Sequence, residues 1–337
     1  MTRPQDNMIG NSLALGEALQ HVSHLAAINR PVLIMGERGT GKELVAERLH
    51  FLSQRWDGPF LKVNCAAIAD QLLDSELFGH EPGAFTGANR THHGRFERAD
   101  GGTLFLDELG TMSSRLQEKL LRLVEYGEFE RLGGQQTLQV DVRVLAATHA
   151  DLRSLAARGE FRDDLLDRLS FDVVHLPSLR HRAEDIPLLA EHFATRICRE
   201  LGWDMFPGFS SRAMSKLTTH QWPGNVRELR NAVERSVYRW GKPDKRVDEV
   251  VIDPFQSPFK QQRVEDTTSA PSTTQLALAP RKDFNTLITD YEHKLVVDAL
   301  ARNNHHQRDT ADDLGLSYDQ LRGLVRKYQL STRRRRR

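Results

Sequence analysis

Short apolar runs alternate with helical patterns along the first half of the chain. Residues 31–35, 60–64, 103–107, 143–147 and 172–176 are brief and mostly apolar, as expected of strands covered on both faces. Between them, residues 44–52 and 116–124 repeat apolar side chains at i, i+3 and i+4, the spacing of an amphipathic helix. This alternation predicts an α/β fold built on a parallel sheet with helices on both sides. After Leu176 the strand signal stops, and residues 186–240 read as a smaller, all-helical lobe. Residues 254–283 lose periodicity and become rich in Pro, Ser, Thr and Gln; too little apolar surface is available there to offset ordering entropy, which predicts a flexible linker. Residues 285–300, 307–314 and 318–328 then read as three further helices. The expected division is an α/β subdomain at 7–175, a helical lobe at 176–253, a linker at 254–283, a helical domain at 284–330 and a basic tail at 331–337.

Composition narrows the class. With 337 residues, 39% hydrophobic and 28% charged, the chain has room for two or three domains and an ordinary globular core. Its uninterrupted apolar runs, such as Val32 to Met35, fall far short of the roughly 18 residues of a membrane span. The first seven residues lack the apolar core of a signal peptide, and two cysteines, Cys65 and Cys198, make neither a disulfide framework nor a cysteine zinc site. A soluble cytoplasmic protein is the expectation. The net charge of +1 hides an asymmetry: residues 281–337 carry 13 Lys and Arg against 8 Asp and Glu, which leaves −4 for the rest. A basic end on a faintly acidic body suggests a polyanion-binding module.

Two motifs carry chemistry. The first strand runs into Gly36-Glu37-Arg38-Gly39-Thr40-Gly41-Lys42-Glu43, a glycine loop between strand and helix, where backbone N–H groups cradle phosphates and the Lys reaches the terminal ones. Glu43 departs from the pattern, which usually has a Ser or Thr contacting magnesium there. The third strand ends in Asp107-Glu108. Beside a phosphate loop, two such carboxylates suit one to hold Mg2+, directly or through water, and the other to polarise the attacking water.

These motifs, with Gly83-Ala84-Phe85-Thr86-Gly87-Ala88 between them, resemble the AAA+ domain of bacterial enhancer-binding activators of sigma-54 RNA polymerase, whose own signature is that six-residue stretch. The likeness covers about residues 7–253, and the C-terminal helices resemble the family's Fis-like DNA-binding end. Within the family it is nearest to activators of phage-shock-protein operons, which likewise leave almost no room before the phosphate loop for a receiver domain. The implied fold is a P-loop parallel sheet with a helical lid subdomain and a C-terminal all-α helix-turn-helix domain. The implied activity is ATP hydrolysis, with Mg2+, by a ring oligomer (a hexamer) that remodels the closed promoter complex at phage-shock-type promoters. A nucleotide-gated DNA-binding regulator on ordinary polymerase is the rival, and a generic AAA+ unfoldase or helicase loader a third reading; the intact six-residue stretch weighs against both.

The resemblance assigns roles by position. Gly83 to Ala88 would tip a loop that engages sigma-54, with Phe85 and Thr86 central; from spacing alone, a turn packing Phe85 inward is the alternative. Arg131, in a glycine turn between two β-like stretches, would belong to a companion loop, or to an ordinary hairpin. Asn64 would hydrogen-bond Glu108 and hold it from water until the γ-phosphate is sensed. Arg162 and Arg168 occupy positions of arginine fingers supplied to a neighbouring subunit; local pairing with Asp163, Asp164 or Asp167 is the alternative. Six residues apart, they diverge by about 240° on one ideal helix, so a helix containing both cannot aim them at one point. Thr148 matches the first sensor and Arg227, in the first turn of the helix opening at Trp222-Pro223-Gly224-Asn225, the second. His149 stands where the family pattern has Asn; it has no partner at metal-ligand spacing and reads as a hydrogen-bonded or solvated histidine. Trp56 would dock the repressor phage-shock protein A, or lie partly buried.

Residues 311–322 have a helix–Gly–turn–helix layout. Gly315 is suited to positive φ, Ser317 to an N-cap, and Leu321 with Leu324 or Val325 to a buried stripe. Ser317, Tyr318, Gln320, Arg322 and Arg326 are then candidates for contact with enhancer double-stranded DNA; a dimerisation hairpin is the alternative. The run Arg333 to Arg337 would add salt-sensitive phosphate attraction, or form a solvated tail.

Overall fold

A computed structural model of the chain describes residues 8–255, 284–303, 305–328 and 330. They divide into two units on either side of the bond between Ser257 and Pro258. In the first unit a five-stranded sheet of β1 (Val32–Met35), β2 (Phe60–Asn64), β3 (Thr103–Asp107), β6 (Arg143–Thr148) and β7 (Val173–His175) has the order β2-β3-β6-β1-β7. Every pairing is parallel, as the alternating pattern predicts. A separate antiparallel hairpin, β4 (Glu128–Glu130) and β5 (Thr137–Gln139), encloses the Arg131 turn.

Period-two alternation sends successive residues to opposite faces. Val144 and Ala146 of β6, with Leu104 and Leu106 of β3, join one core with α3 (Asp70–Phe78), α5 (Ser114–Tyr126), α6 (Leu152–Ala157) and α7 (Asp163–Leu169). Their neighbours Leu145, Ala147 and Phe105 face the other core, under α1 (Leu13–Ala26) and α2 (Lys42–Phe51). Because both faces are covered, polar alternation is absent from β3 and β6, which explains their clear signal. Rings of Phe78 and Phe96 stack at 5.4 Å and Phe129 packs on both, anchoring the short α4 (Arg95–Arg98) and the hairpin to the main body. Each such buried ring contributes on the order of 2–3 kcal/mol of transfer free energy.

A separate apolar core belongs to the lid, formed by α8 (Ile186–Glu200), α9 (Ser211–Thr219) and α10 (Asn225–Trp240). At its centre Trp222 is fully buried and donates Nε1–H to the Leu217 carbonyl at 2.8 Å. In the second unit α11 (Phe284–Arg302), α12 (Gln307–Asp313) and α13 (Tyr318–Lys327) pack around Val296, Leu300, Ala311, Leu321 and Val325. Gly315 has φ +63°, and the Ser317 side chain caps α13 by accepting the Gln320 N–H, both as read from the sequence. Of the expected linker at 254–283, residues 256–283 lie outside the described residues, as does the arginine run. No helix among the described residues is long and apolar enough to cross a membrane.

Candidate nucleotide site and its loops

Parallel pairing brings the ends of four strands to one edge. Asn64 is in register with Asp107, and Met35 with Thr148; this carboxyl edge is where open α/β sheets bind ligands. The phosphate loop leaves β1 there. Gly39 and Gly41 adopt φ +77° and +104°, and Gly41 is the N-cap of α2, so orphan N–H groups at a positive helix end face outward. Lys42 is buried, and its Nζ folds onto the Gly36 carbonyl at 3.0 Å and the Glu37 carbonyl at 3.3 Å. Burial lowers the Lys42 pKa, opposed by the charges of Glu108 and Asp107. Burial likewise raises that of Asp107, helped by Glu108. Thr40 Oγ1 donates to the Glu37 carbonyl at 2.8 Å, tightening the turn.

The departure at Glu43 has a physical account. Its carboxylate accepts Lys62 Nζ at 2.7 Å, and Glu47 pairs with the same ammonium, so Glu43 serves a contact between α2 and β2. Asp107 Oδ1 accepts the Glu108 N–H at 3.0 Å, and its position at the strand end fits a Mg2+ ligand. Among the described residues no group of three or more His, Cys, Asp or Glu could hold a metal, so phosphate oxygens and water would have to complete such a shell.

The expected Asn64–Glu108 hydrogen bond is not formed. Asn64 Oδ1 accepts the Ala66 N–H at 2.9 Å, closing a local turn after β2. Glu108 instead meets His149, Nδ1 to Oε2 at 2.5 Å, with Arg38 Nε 3.9 Å from its other oxygen. Neighbouring strand ends lie side by side, but the local turns that follow them decide which polar side chain reaches across; spacing along the chain does not encode that. Thr148 is buried, and its Oγ1 accepts the Ala150 N–H at 3.0 Å.

The lid is sewn to the phosphate loop by residues that periodicity gave no reason to single out. Asn225, buried and at φ +52°, donates Nδ2–H to Glu37 and to the Arg38 carbonyl, both at 3.0 Å, and accepts the Leu179 N–H at 2.7 Å. The Val226 N–H donates to the Gly39 carbonyl at 3.0 Å. Glu37 also pairs with Arg180, and these hydrogen bonds, first from Arg180 and then from Asn225, hold its pKa down at about 2. Arg182 donates to the Thr40 carbonyl at 3.0 Å, and its Nε is the buried side-chain polar atom without a partner among the described residues. A cleft between loop and lid is lined by Met8, Ile9, Arg38, Arg182, Phe193 and Arg227. The only advance signal for Asn225 was its place in the Trp222–Asn225 turn, where two non-glycine residues take positive φ.

Away from the cleft, Gly83 to Ala88 forms a turn closed by the Gly83 N–H to the Ala88 carbonyl at 2.8 Å. Phe85 is 42% exposed and edge-on to His80 at 4.8 Å, so it is not packed inward. The Arg131 turn is zipped to this segment by Glu81 N–H to the Leu132 carbonyl and Leu132 N–H to the Gly79 carbonyl, both 3.0 Å. Arg131 itself bridges Glu81 and Glu97, each at 2.6 Å. Arg162 is the N-cap of α7 and pairs locally with Asp164 at 2.7 Å; Arg168, in the last turn, pairs with Glu125 at 2.6 Å. The helix thus begins between them, which lifts the 240° restriction. Trp56 is 60% exposed, not partly buried. On α13, Tyr318, Arg322 and Arg326 are exposed, while Gln320 returns its Oε1 to the Ser317 N–H at 2.9 Å.

Residues 8–175 match the model of the sigma-54 interaction domain and residues 180–269 that of an AAA+ ATPase lid domain. The Psp operon transcriptional activator of Escherichia coli K12 is 54% identical over 330 residues, 98% of this chain and 100% of that protein. The chain belongs to the sigma-54-dependent AAA+ transcription activators. The transcriptional regulatory protein ZraR of Salmonella typhimurium is 51% identical over 69% of the chain, which spans 53% of that relative. The crystal structure of NtrX from Brucella abortus in complex with ATP superposes with a TM-score of 0.67 at 32% identity, covering 96% of this chain and 70% of that one. The family is one of ATP-binding P-loop ATPases.

Proposed function

We propose that the chain hydrolyses ATP as a ring, a hexamer, and uses the cycle to remodel the closed complex of sigma-54 RNA polymerase at phage-shock-type promoters. The observation that carries this is the glycine cradle with Lys42, Asp107 and Glu108 gathered at one sheet edge, in a unit that also presents Gly83 to Ala88 on an exposed turn. ATP phosphates lie over the N–H groups of Gly36 to Lys42 at the start of α2, flanked by Glu43. Asp107 holds Mg2+, directly or through water, and the ion supplies charge neutralisation at the phosphates. Glu108 polarises the attacking water, and Asn64 closes the strand end beside it. Thr148 and Arg227 report the terminal phosphate to the sheet and the lid. Arg162 leaves Asp164 and Arg168 leaves Glu125 to complete the neighbour's site, where a finger is worth on the order of 10³–10⁵ in rate.

In this reading residues 7–175 and 176–253 form the motor and 284–330 the anchor. Phe85 and Thr86, steadied by Arg131, grip sigma-54. Ser317, Tyr318, Gln320, Arg322 and Arg326 contact enhancer DNA, and exposed Trp56 docks a repressor, phage-shock protein A. The test is open-complex formation on a sigma-54 promoter. Wild-type protein is expected to open it only with hydrolysable ATP, and Thr86→Ala to hydrolyse ATP without opening it. Opening by Thr86→Ala at the wild-type rate would overturn the proposal.

A further inference from the structure

The main-chain carbonyls from Gly36 to Thr40 fall into two sets. Those of Gly36 and Glu37 are held from inside the loop, by Lys42 Nζ and the Thr40 hydroxyl. The next three are each held from the lid at 3.0 Å: Asn225 Nδ2–H reaches the Arg38 carbonyl, the Val226 N–H that of Gly39, and Arg182 Nη2–H that of Thr40. Asn225, Arg182 and Thr40 are all buried. The N–H and carbonyl of one trans peptide point in opposite directions. Fixing these three carbonyls on the lid side therefore turns the N–H groups of Gly39, Thr40 and Gly41 to the other side. There they donate to no group among the described residues. Main-chain donors normally find partners, and consecutive N–H groups aimed one way form a concavity for an anion.

We infer that Arg182 and Asn225 are positioning residues of the phosphate cradle: by holding consecutive carbonyls from behind, the lid sets the direction of the N–H groups that bind a polyphosphate. This rests on the reading of the loop as an ATP site. Glycine spacing alone does not build the cradle, because Gly39 and Gly41, at φ +77° and +104° on either side of Thr40, restrain these peptides little. The restraint comes from outside the loop. Glu37 fastens the same seam through Arg180 and Asn225. When the lid swings away, all three donors leave together and the peptides are free to turn. Affinity for phosphates then falls with lid opening, even where every contact to the rest of the nucleotide is kept.

The test uses the full chain and inorganic tripolyphosphate, which has phosphates but no base. Arg182→Met removes the donors and Arg182→Lys keeps an ammonium. Asn225→Asp keeps an acceptor for the Leu179 N–H and tolerates positive φ, but loses the donor to the Arg38 carbonyl. Tripolyphosphate binding, read by calorimetry, should weaken about tenfold in Arg182→Met and recover to within about threefold of wild type in Arg182→Lys. KM for ATP should rise by about the same factor in Arg182→Met, with kcat within about threefold. Tripolyphosphate affinity within about twofold of wild type in Arg182→Met would overturn the inference. A second measurement needs no ligand. A hydrogen bond accepted by a carbonyl polarises its peptide and moves the nitrogen signal of the residue that follows. In ¹⁵N-glycine-labelled protein, Arg182→Met should move chiefly the Gly41 signal and Asn225→Asp chiefly that of Gly39, the two identified by their loss in Gly41→Ala and Gly39→Ala. Both signals moving alike in both variants, or neither moving, overturns the inference. Wild-type protein that binds neither tripolyphosphate nor ATP would count against the assigned function instead, leaving the glycine signals to decide.

Discussion

At the scale of single residues, the phosphate loop is the part of the site most sensitive to small changes. A methyl group built on Gly39 meets the Gly224 carbonyl oxygen well inside contact distance and Arg227 Cβ at 3.1 Å, on a backbone at φ +77°. Gly39→Ala is therefore expected to part the loop from the start of α10, losing the Val226 N–H bond to the Gly39 carbonyl. Binding of a fluorescent ATP analogue should weaken at least about tenfold, a change equivalent to about 1.4 kcal/mol, while the sheet stays folded by circular dichroism. Unchanged affinity would show that this seam does not shape the cleft. The glycines, Lys42 and the two carboxylates were legible in the sequence because their chemistry depends on local spacing. The partner of Glu108 was not, because Asn64, Asp107 and Thr148 end adjacent strands and the following turns decide which side chain reaches across.

At the scale of elements, the strand signal served well where both faces are buried, as in β3 and β6, and the hairpin was visible only as two β-like stretches around Arg131. The ion-pair network beneath that hairpin was hidden, since Glu81, Glu97 and Arg131 are far apart in sequence. Burial pushes Glu97 up, but hydrogen bonds from Arg131, His93 and the Gly94 N–H outweigh it and bring its pKa down to about 2 from an ordinary 4.5. A carboxylate lowered in the folded state stabilises fully above its unfolded pKa and loses that contribution as pH falls through the folded one. Stability should thus decline between about pH 4.5 and 2, and Glu97→Gln should flatten that part of the curve, as read by urea midpoints across pH. Identical slopes would mean that the bridge between the two loops adds nothing to folding.

At the scale of the whole molecule, both candidate fingers are surface groups: the side chains of Arg162 and Arg168 pair with exposed or partly exposed carboxylates in the isolated chain. Exposed pairs of this kind are worth about 0–1 kcal/mol, so they are easily exchanged for a phosphate presented by a neighbour. Arg168→Ala is expected to bind ATP nearly as the wild type does and to lose at least about a hundredfold in turnover. Mixing it with a Lys42→Ala protein, itself unable to use ATP, should recover part of the activity, because intact cleft and intact finger then meet across an interface. No recovery, or full activity in Arg168→Ala alone, would rule out a shared site. A ring would not be written in periodicity, since nothing in hydrophobic spacing distinguishes a finger from a surface arginine.

One buried carboxylate at the start of α8 ties the chain's beginning to the lid. Asp185 accepts the Asn11 N–H at 2.6 Å, the Ser12 N–H at 2.8 Å and the Ser12 hydroxyl at 2.6 Å. Met8 and Ile9, just before this clasp, form part of the wall of the cleft between the phosphate loop and the lid. Swinging the lid outward must drag that wall along or break three hydrogen bonds at once. In the proposed ATP cycle such a clasp would latch the exit of spent nucleotide, its strength set by Asp185.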